Sequence, residues 1–418
     1  MKVYKFGGAS VKDAVGIKNL AAIVSGEKGH LVLVISAFGK TTNALEAVLG
    51  KWLNDEDEYM ALLDEIRHRH LTVTGQLFGD DTRVGEMIDD SFTTLKNYLM
   101  NGGKGRYDFE YDQVVSYGEI WSTIIVSEYL RRHNDGVQWI DIRKHLFTDE
   151  RHRDANVLWS ESTGNIKGVF DFGLARIYVT QGFIAGTRAG DTTTLGREGS
   201  DYTAAIIGNI MEAESVVVWK DVPGVLNADP KWYRDTKKID ELSYKDAVEM
   251  SFSGAKVIHP KTIKPLHNKS IPLYVRSFIS PSDEGTIISA DPLIKSTLPV
   301  FIRKENQILL SLLPIDFSFV MGDNLSMIFN FFITHGIKVN LVEASAVSLD
   351  VCVDDERSKV NELIEDLKPA FSTVYNDNVE MLSVRHYDAE ALKRIKKGRE
   401  VLLEQRTRST VRFVARKA

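Results

Sequence analysis

The 418-residue chain carries 52 Lys and Arg against 58 Asp and Glu, a formal net charge of −6, and is 43% hydrophobic and 26% charged, the balance of a soluble globular protein. At roughly 150 residues per domain, that length predicts two or three domains with full cores. An acidic chain with no basic stripe among its aromatics is not built for nucleic acid or for an anionic membrane surface.

VYKFGG at 3–8 reads as a strand ending in a glycine turn, a helical pattern follows over 11–24, and LVLVIS at 31–36 is a second strand, apolar throughout. GGAS interrupts the opening residues where a signal peptide needs its apolar core, and the run 31–38 falls short of the roughly 20 residues of a membrane span, so a cytoplasmic protein is expected. Strands apolar on both faces and alternating with helices predict a parallel sheet in an α/β fold. Residues 44–132 carry apolar positions at three and four spacing and predict mostly helix, with further strands at 139–143, 175–183, 215–222 and 272–278. A composition change over 285–300 ends this unit, taken as 1–289.

Beyond it, QILLSLLPI, a helix over 324–335, IKVNLVEAS, AVSLDVCVDD, a helix over 358–367 and the strand VEMLSVRHY predict a small ferredoxin-like module at 300–385. Cys352, inside it, is the only cysteine, which excludes an internal disulfide and a cysteine metal cluster. The remaining 386–418 offer a short helix and two strand-like pieces, EVLLEQ and VRFVAR, too few residues for a second full helix pair.

Two glycine-rich stretches carry the chemistry. In KVYKFGGAS the lysine precedes the glycines, so the stretch is neither a P-loop nor a dinucleotide fingerprint. Two glycines after a strand let backbone N–H groups approach an anion, Lys5 directs a cation to the same spot, and Ser10 with Asp13 is expected to cap the next helix as a capping box. A tight turn with a surface lysine is the plain alternative. The second stretch, TQGFIAGTRAGDTTTLGREGSDYTAAIIG at 180–208, follows a strand and opens an apolar helix, gathering hydroxyls, an arginine and a carboxylate at a helix N-terminus where the dipole favours an anion. Its plain alternative has Ser200 or Asp201 merely capping the helix and Arg197 solvated. Together the two stretches favour a phosphate plus a small carboxylate substrate.

KFGGAS, VVSYGEIWST (114–123), TTTLGREGSDYTAA (192–205), WKDVPGVLNADP (219–230) and FSGAKVIHP (252–260) resemble, in this order, the aspartate kinases of the amino-acid kinase family, and the tail resembles their ACT regulatory modules. The resemblance implies a carbamate-kinase-like three-layer α/β sandwich with a mainly parallel sheet, then an α+β ferredoxin-like ACT region whose last part, 386–418, is a truncated second ACT-like segment. It implies ATP- and Mg²⁺-dependent phosphorylation of the L-aspartate side chain to 4-phospho-L-aspartate, the first step towards lysine, threonine and methionine. By the same resemblance Lys5 and Asp201 are the catalytic pair, with Lys5, Gly7 and Gly8 at the phosphates. Ser36, Thr42, Phe183 and Ser200 line the substrate pocket, Glu119 recognises the aspartate amino group, and Arg197 grips its α-carboxylate. Asp221, Lys231 and Lys256 bind nucleotide. Mg²⁺ is then held mainly by ATP oxygens, with no protein metal site expected. The ACT region implies a homodimer or larger homo-oligomer and an amino-acid effector.

Ala9 stands where the resembling kinases carry Ser or Thr, Glu198 where Gly is common, Lys220 for a frequent Thr and Leu226 for a frequent Tyr. MGDNLSM (321–327) and VNLVEAS (339–345) also depart from the usual effector-loop patterns, and His259 reads as a packed or helix-capping histidine. HRD at 152–154 and DFGLAR at 171–176 mimic a protein kinase, but Trp159 occupies the position of the required Asn and the glycine loop, V-A-I-K and A-P-E are missing. Another amino-acid kinase, acting on glutamate or acetylglutamate, and a catalytically silent amino-acid sensor remain the alternatives.

Overall fold

The computed structural model describes residues 1–102, 104–255, 258–292, 297–316 and 318–417. The chain divides into two compact units, Met1–Val225 with Lys238–Val248 and Val257–Lys295, and Leu226–Lys237 with Glu249–Lys256 and Ser296–Ala418.

The element order begins β1 (Lys2–Phe6), α1 (Ala14–Ser25), β2 (Leu31–Ile35) and the helices α2 (Thr41–Leu53), α3 (Glu58–Phe78), α4 (Arg83–Asn101), α5 (Tyr107–Val115) and α6 (Tyr117–Arg131). It continues with β3 (Val137–Ile140), α7 (Trp159–Val169), β4 (Ile177–Gln181), the hairpin β5 (Ile184–Gly186) and β6 (Thr192–Thr194), and α8 (Gly199–Ile210). Then come β7 (Ser215–Lys220), β8 (Val225–Leu226), β9 (Lys238–Ile239), β10 (Glu241–Ser243), α9 (Tyr244–Phe252), α10 (Pro260–Asn268), β11 (Leu273–Ser277) and β12 (Thr286–Ser289).

In the first unit an eight-stranded sheet runs β10-β12-β11-β7-β1-β2-β4-β3 among the described residues. Six neighbours, β11 through β3, pair in parallel; β12 runs antiparallel to β11, and β10 pairs in parallel with β12. Every residue of β2 is buried, as a strand covered on both faces requires. On one face Tyr4, Phe6, Val217 and Trp219 join the core made by α1 to α6, with the rings of Phe6 and Trp219 stacked at 6.0 Å. On the other, α8 packs against β1 and β7.

Two local expectations change. The strand expected through Arg143 stops at Ile140, because the Asp141 carboxylate accepts the Arg143 backbone N–H and turns 142–144 into a 3₁₀ turn. The capping box is also absent: Asp13 alone is the N-cap of α1, accepting from Gly16 N at 2.8 Å, while Ser10 N donates to Gly7 O inside the preceding turn.

The second unit contains β13 (Val300–Pro314), α11 (Asp323–Thr334), β14 (Val339–Ala344), β15 (Leu349–Asp354), α12 (Arg357–Leu367), β16 (Phe371–Arg385), α13 (Ala389–Lys396), β17 (Arg399–Arg406) and β18 (Thr410–Lys417). Its six-stranded sheet runs β14-β15-β13-β16-β18-β17. The run β13-α11-β14-β15-α12-β16 is a ferredoxin-like βαββαβ module. β13 and β16 are long, and their pairing shifts register between Lys304 and Leu309. Beyond that irregularity, β13 from Ile308 onward serves the α11/α12 core, whereas Phe301, Leu382 and Val384 join Ala391, Ile395, Val411 and Phe413 in a separate core under α13. The first half of β13 thus borders a second, smaller βαββ arrangement made by β16, α13, β17 and β18. The first half of β16, FSTVYNDN, has only Phe371 buried and therefore lacks the apolar alternation that marks a strand in sequence.

Cys352, in β15, is fully buried, and burial pushes its thiol up to about 12. Since the thiolate is the reactive form, the folded chain should label negligibly with iodoacetamide at pH 8 and completely only in denaturant. Labelling in native buffer at the rate of a free thiol would contradict this packing.

Candidate active site

The parallel strands β1, β2, β4 and β7 all end at one edge of the sheet, and the loops leaving that edge build the site, as expected for ligands of open α/β sheets. After β1 comes Gly7-Gly8, and after β2 comes Ser36-Ala37-Phe38-Gly39. These two turns are zipped together: Ser36 N donates to Phe6 O at 3.1 Å and Gly39 N to Gly8 O at 2.9 Å. Gly8 has no room for a side chain, since a Cβ there would lie 2.6 Å from Ala37 O and 2.9 Å from Gly39 O. Gly7 is different, for its open side faces the Lys5 ammonium, 3.6 Å from where a Cβ would sit.

Lys5 and Trp219 follow the strand alternation, Lys5 to the α8 face and Trp219 to the opposite core. In the first turn of α8, Asp201 is 2% exposed and receives Lys5 Nζ at 2.6 Å and Lys220 Nζ at 3.7 Å. Burial alone would raise this carboxyl, but the two lysines together outweigh it and hold Asp201 below the ordinary carboxylate range. The positive end of the α8 dipole acts in the same direction.

Gly182 and Phe183 follow β4. A Cβ on Gly182 would lie 2.5 Å from Ser200 Cβ, so this glycine permits the close approach of β4 to the start of α8. Phe183 holds a φ of 70°, unusual for an aromatic residue, fixed by its N–H donating to Thr203 Oγ1 at 3.0 Å and its carbonyl accepting from Leu195 N at 2.9 Å. Glu198 at the N-cap of α8 is likewise left-handed, with φ 54°, the position where the sequence comparison expected glycine.

Glu119, near the start of α6, is buried and accepts a 3.3 Å hydrogen bond from Ala37 N. Burial dominates its titration and pushes it up to about 8, against the smaller lowering by the Ala37 N–H and the Lys5 charge. α6 comes this close to the Ser36 turn because Gly118 carries no side chain; a Cβ there would meet Ala37 Cβ at 2.9 Å.

The structure thus brings Lys5, Gly7, Gly8, Glu119, Phe183, Ser200 and Asp201 to one edge of the first unit, with Ser36 half-buried in the second turn and Thr42 half-buried in the first turn of α2. Arg197 and Asp221 are exposed, and Arg197 has no ion pair among the described residues. Lys231 is an exposed residue of the second unit, its backbone N–H capped by Asp229. Lys256 lies outside the described residues. His259 caps α10, accepting from Lys261 N at 3.2 Å.

Sequence reasoning missed Lys220 as a partner of Asp201, and it missed Asp112. This fully buried carboxylate on α5 accepts from Thr194 Oγ1 at 2.7 Å, faces His152 Nδ1 at 2.9 Å and accepts from Arg153 N at 3.0 Å. The HRD loop is therefore a fastening for the strand that leads to Arg197, and its Asp154 pairs with Lys261 and crowds Gly196, whose φ is 77°. A charged residue within YDQVVSYGE was the available signal.

The amino acid kinase family model matches residues 1–277. Lysine-sensitive aspartokinase 3 of Escherichia coli is 32% identical over 356 residues, covering 84% of this chain and 78% of that protein. Bifunctional aspartokinase/homoserine dehydrogenase 2 of Arabidopsis thaliana is 31% identical over 385 residues, 88% of this chain, which spans 42% of that longer relative. The solved structure of E. coli aspartokinase III in complex with aspartate and ADP superposes with a TM-score of 0.84 at 26% identity, covering 100% of this chain and 96% of that one. No described helix is long and apolar enough to cross a membrane.

Because Glu119 ordinarily titrates near 4.5 and is raised to about 8 in the fold, the folded chain keeps a proton that the unfolded chain releases. Stability is therefore fullest below about pH 4.5 for this group and is lost as pH rises towards 8. Between pH 5.5 and 7.5 the melting temperature of Glu119→Gln should fall less than that of the parent; parallel curves would show that Glu119 is not a buried neutral acid.

Proposed function

Because the chain belongs to the amino acid kinase family and, within it, to the aspartokinases, we propose that it transfers the γ-phosphoryl group of ATP to the side-chain carboxylate of L-aspartate. The observation that carries this reading is the Lys5–Asp201 pair, held beside a glycine turn that leaves room for an anion. An oxygen of the substrate carboxylate attacks the γ-phosphorus, the bond from that phosphorus to the β–γ bridging oxygen breaks, and ADP leaves with the electron pair. The products are 4-phospho-L-aspartate and ADP, and no proton is taken from the acceptor, already ionised at neutral pH.

Such a step needs positioning and charge neutralisation more than a base. Lys5 and the backbone N–H groups of Gly7 and Gly8 receive the phosphates, and Asp201 holds Lys5 in place. Glu119 receives the substrate ammonium beside Ser36 and Thr42, while Phe183 and Ser200 wall the pocket. Arg197, exposed and without an ion pair among the described residues, offers a planar fork to the α-carboxylate. Asp221, in the first unit, is assigned to the nucleotide. Mg²⁺ arrives as part of the MgATP substrate, whose phosphate oxygens are the hard ligands it prefers. The second unit, by its ferredoxin-like module, is read as an ACT regulatory region that pairs two copies and takes an amino-acid effector.

The deciding measurement is ATP-dependent hydroxamate formation with hydroxylamine, run with L-aspartate, L-glutamate and acetylglutamate, and repeated with lysine, threonine and methionine added. Turnover with aspartate is expected. Equal or better turnover with glutamate would replace this reading by a sibling kinase, and binding of an amino acid without turnover would replace it by a sensor.

Arg197→Lys should raise the aspartate KM about tenfold, because an ammonium loses the paired hydrogen bonds, and leave the ATP KM within about twofold. A change confined to ATP would remove Arg197 from the aspartate site.

A further inference from the structure

We propose that Lys220 is a second catalytic cation, which meets the transferring phosphoryl group together with Lys5; the inference rests on the kinase reading above. Strand register places it. Phe6 pairs with Trp219, so Lys220 lies one residue beyond, level with the Gly7-Gly8 turn on the neighbouring strand. Alternation along β7 turns Lys220 to the same face as Val218, the partner of Lys5. The two ammonium groups therefore point from adjacent strands at one carboxylate, 2.6 Å and 3.7 Å from its two oxygens.

One buried carboxylate between two lysines is a resting arrangement that suits an incoming polyanion. Lys220 keeps 24% of its side-chain surface exposed against 11% for Lys5, so solvent, and hence a ligand, reaches it more readily. In the transition state the charge of the γ-phosphoryl group spreads over its peripheral oxygens. A cation held in place by Asp201 before the substrate arrives needs little reorganisation to stabilise it. Lys5, nearer the glycine turn, then neutralises one side of the group and Lys220 the other.

ADP lacks the phosphoryl group that Lys220 is assigned to meet, which gives a test independent of turnover. In the full chain, Lys220→Thr and the near-isosteric Lys220→Gln are compared with the parent for equilibrium binding of MgATP and MgADP, and for steady-state hydroxamate formation. The expected result is that both variants lose about tenfold in MgATP affinity and change MgADP affinity less than about twofold. The same variants should lose roughly 10- to 100-fold in kcat with the aspartate KM little changed, and Lys220→Arg should recover most of both. Equal losses for MgATP and MgADP, or a variant with the parent's ATP preference and kcat, overturn the proposal, as does a failure of Lys220→Arg to recover either. Should the parent bind MgATP but not phosphorylate aspartate, the aspartate reading fails, and the ATP-over-ADP preference of the variants still decides the role of Lys220.

Discussion

Keeping the Asp201 carboxylate charged inside the crevice is the constraint on which the first unit turns. An isolated carboxylate buried to this degree would be protonated or would cost several kcal/mol, and removing one partner from such a pair costs ~3–5 kcal/mol. Lys5 from β1, Lys220 from β7 and the first turn of α8 jointly meet that cost. They converge only if β7 and β1 are neighbours and α8 covers the face of the sheet opposite the large aromatic core, which is the observed arrangement. The glycines are the steric side of the same constraint. Gly8 and Gly182 are small because backbone or a Cβ already occupies the space a side chain would need, and they let three loops approach one carboxylate.

The second unit solves a different problem, that of covering a sheet too wide for its helices. β13 and β16 are the long central strands of the sheet and change register partway, so that each presents one stretch to the core under α11 and α12 and another to the core under α13. A register shift alters which residues face a given side, and this lets one continuous pair of strands serve two small cores. With β13 as its border strand, the arrangement after residue 386 packs around one helix, α13, followed by β17 and β18, the short helix and two strand-like pieces expected from the sequence.

Strand apolarity and helix periodicity made most of the first unit legible. LVLVI and SVVVWK read as buried strands because they are buried on both faces, and the three-and-four spacing across 44–132 corresponds to α2 through α6. The start of β16 was illegible for the converse reason, that after Phe371 none of its first eight side chains is buried. Within the site, composition pointed to Lys5, Arg197, Ser200 and Asp201 because charged and hydroxyl groups beside glycines stand out in a sequence. Asp112 and Lys220 did not stand out: a single acid in a helix and a lysine ending a strand are ordinary surface residues until the fold buries one and turns the other towards Asp201. The HRD motif shows the opposite error, since motif and spacing are local while the role of His152 depends on Asp112, forty residues earlier in the chain.

Two buried carboxyls at the same edge of one sheet end in opposite protonation states, and the difference is informative. Asp201 has two lysines and a helix N-terminus, so it stays ionised. Glu119 has one backbone N–H and a distant share of the Lys5 charge, so burial wins and it holds its proton at neutral pH. Environments that separate the titration of neighbouring acids separate their tasks. Asp201 is already paired and serves to hold cations in position. Glu119 has an oxygen without a hydrogen-bond partner and no ion pair among the described residues, which is what its proposed role of receiving the substrate ammonium requires. Under the proposed kinase reading, the lysines mark the phosphate end and Glu119 gains its charge only when an ammonium lies beside it, an arrangement suited to a zwitterion with an anionic side chain. A substrate with an acylated amino group would leave that second carboxyl uncharged.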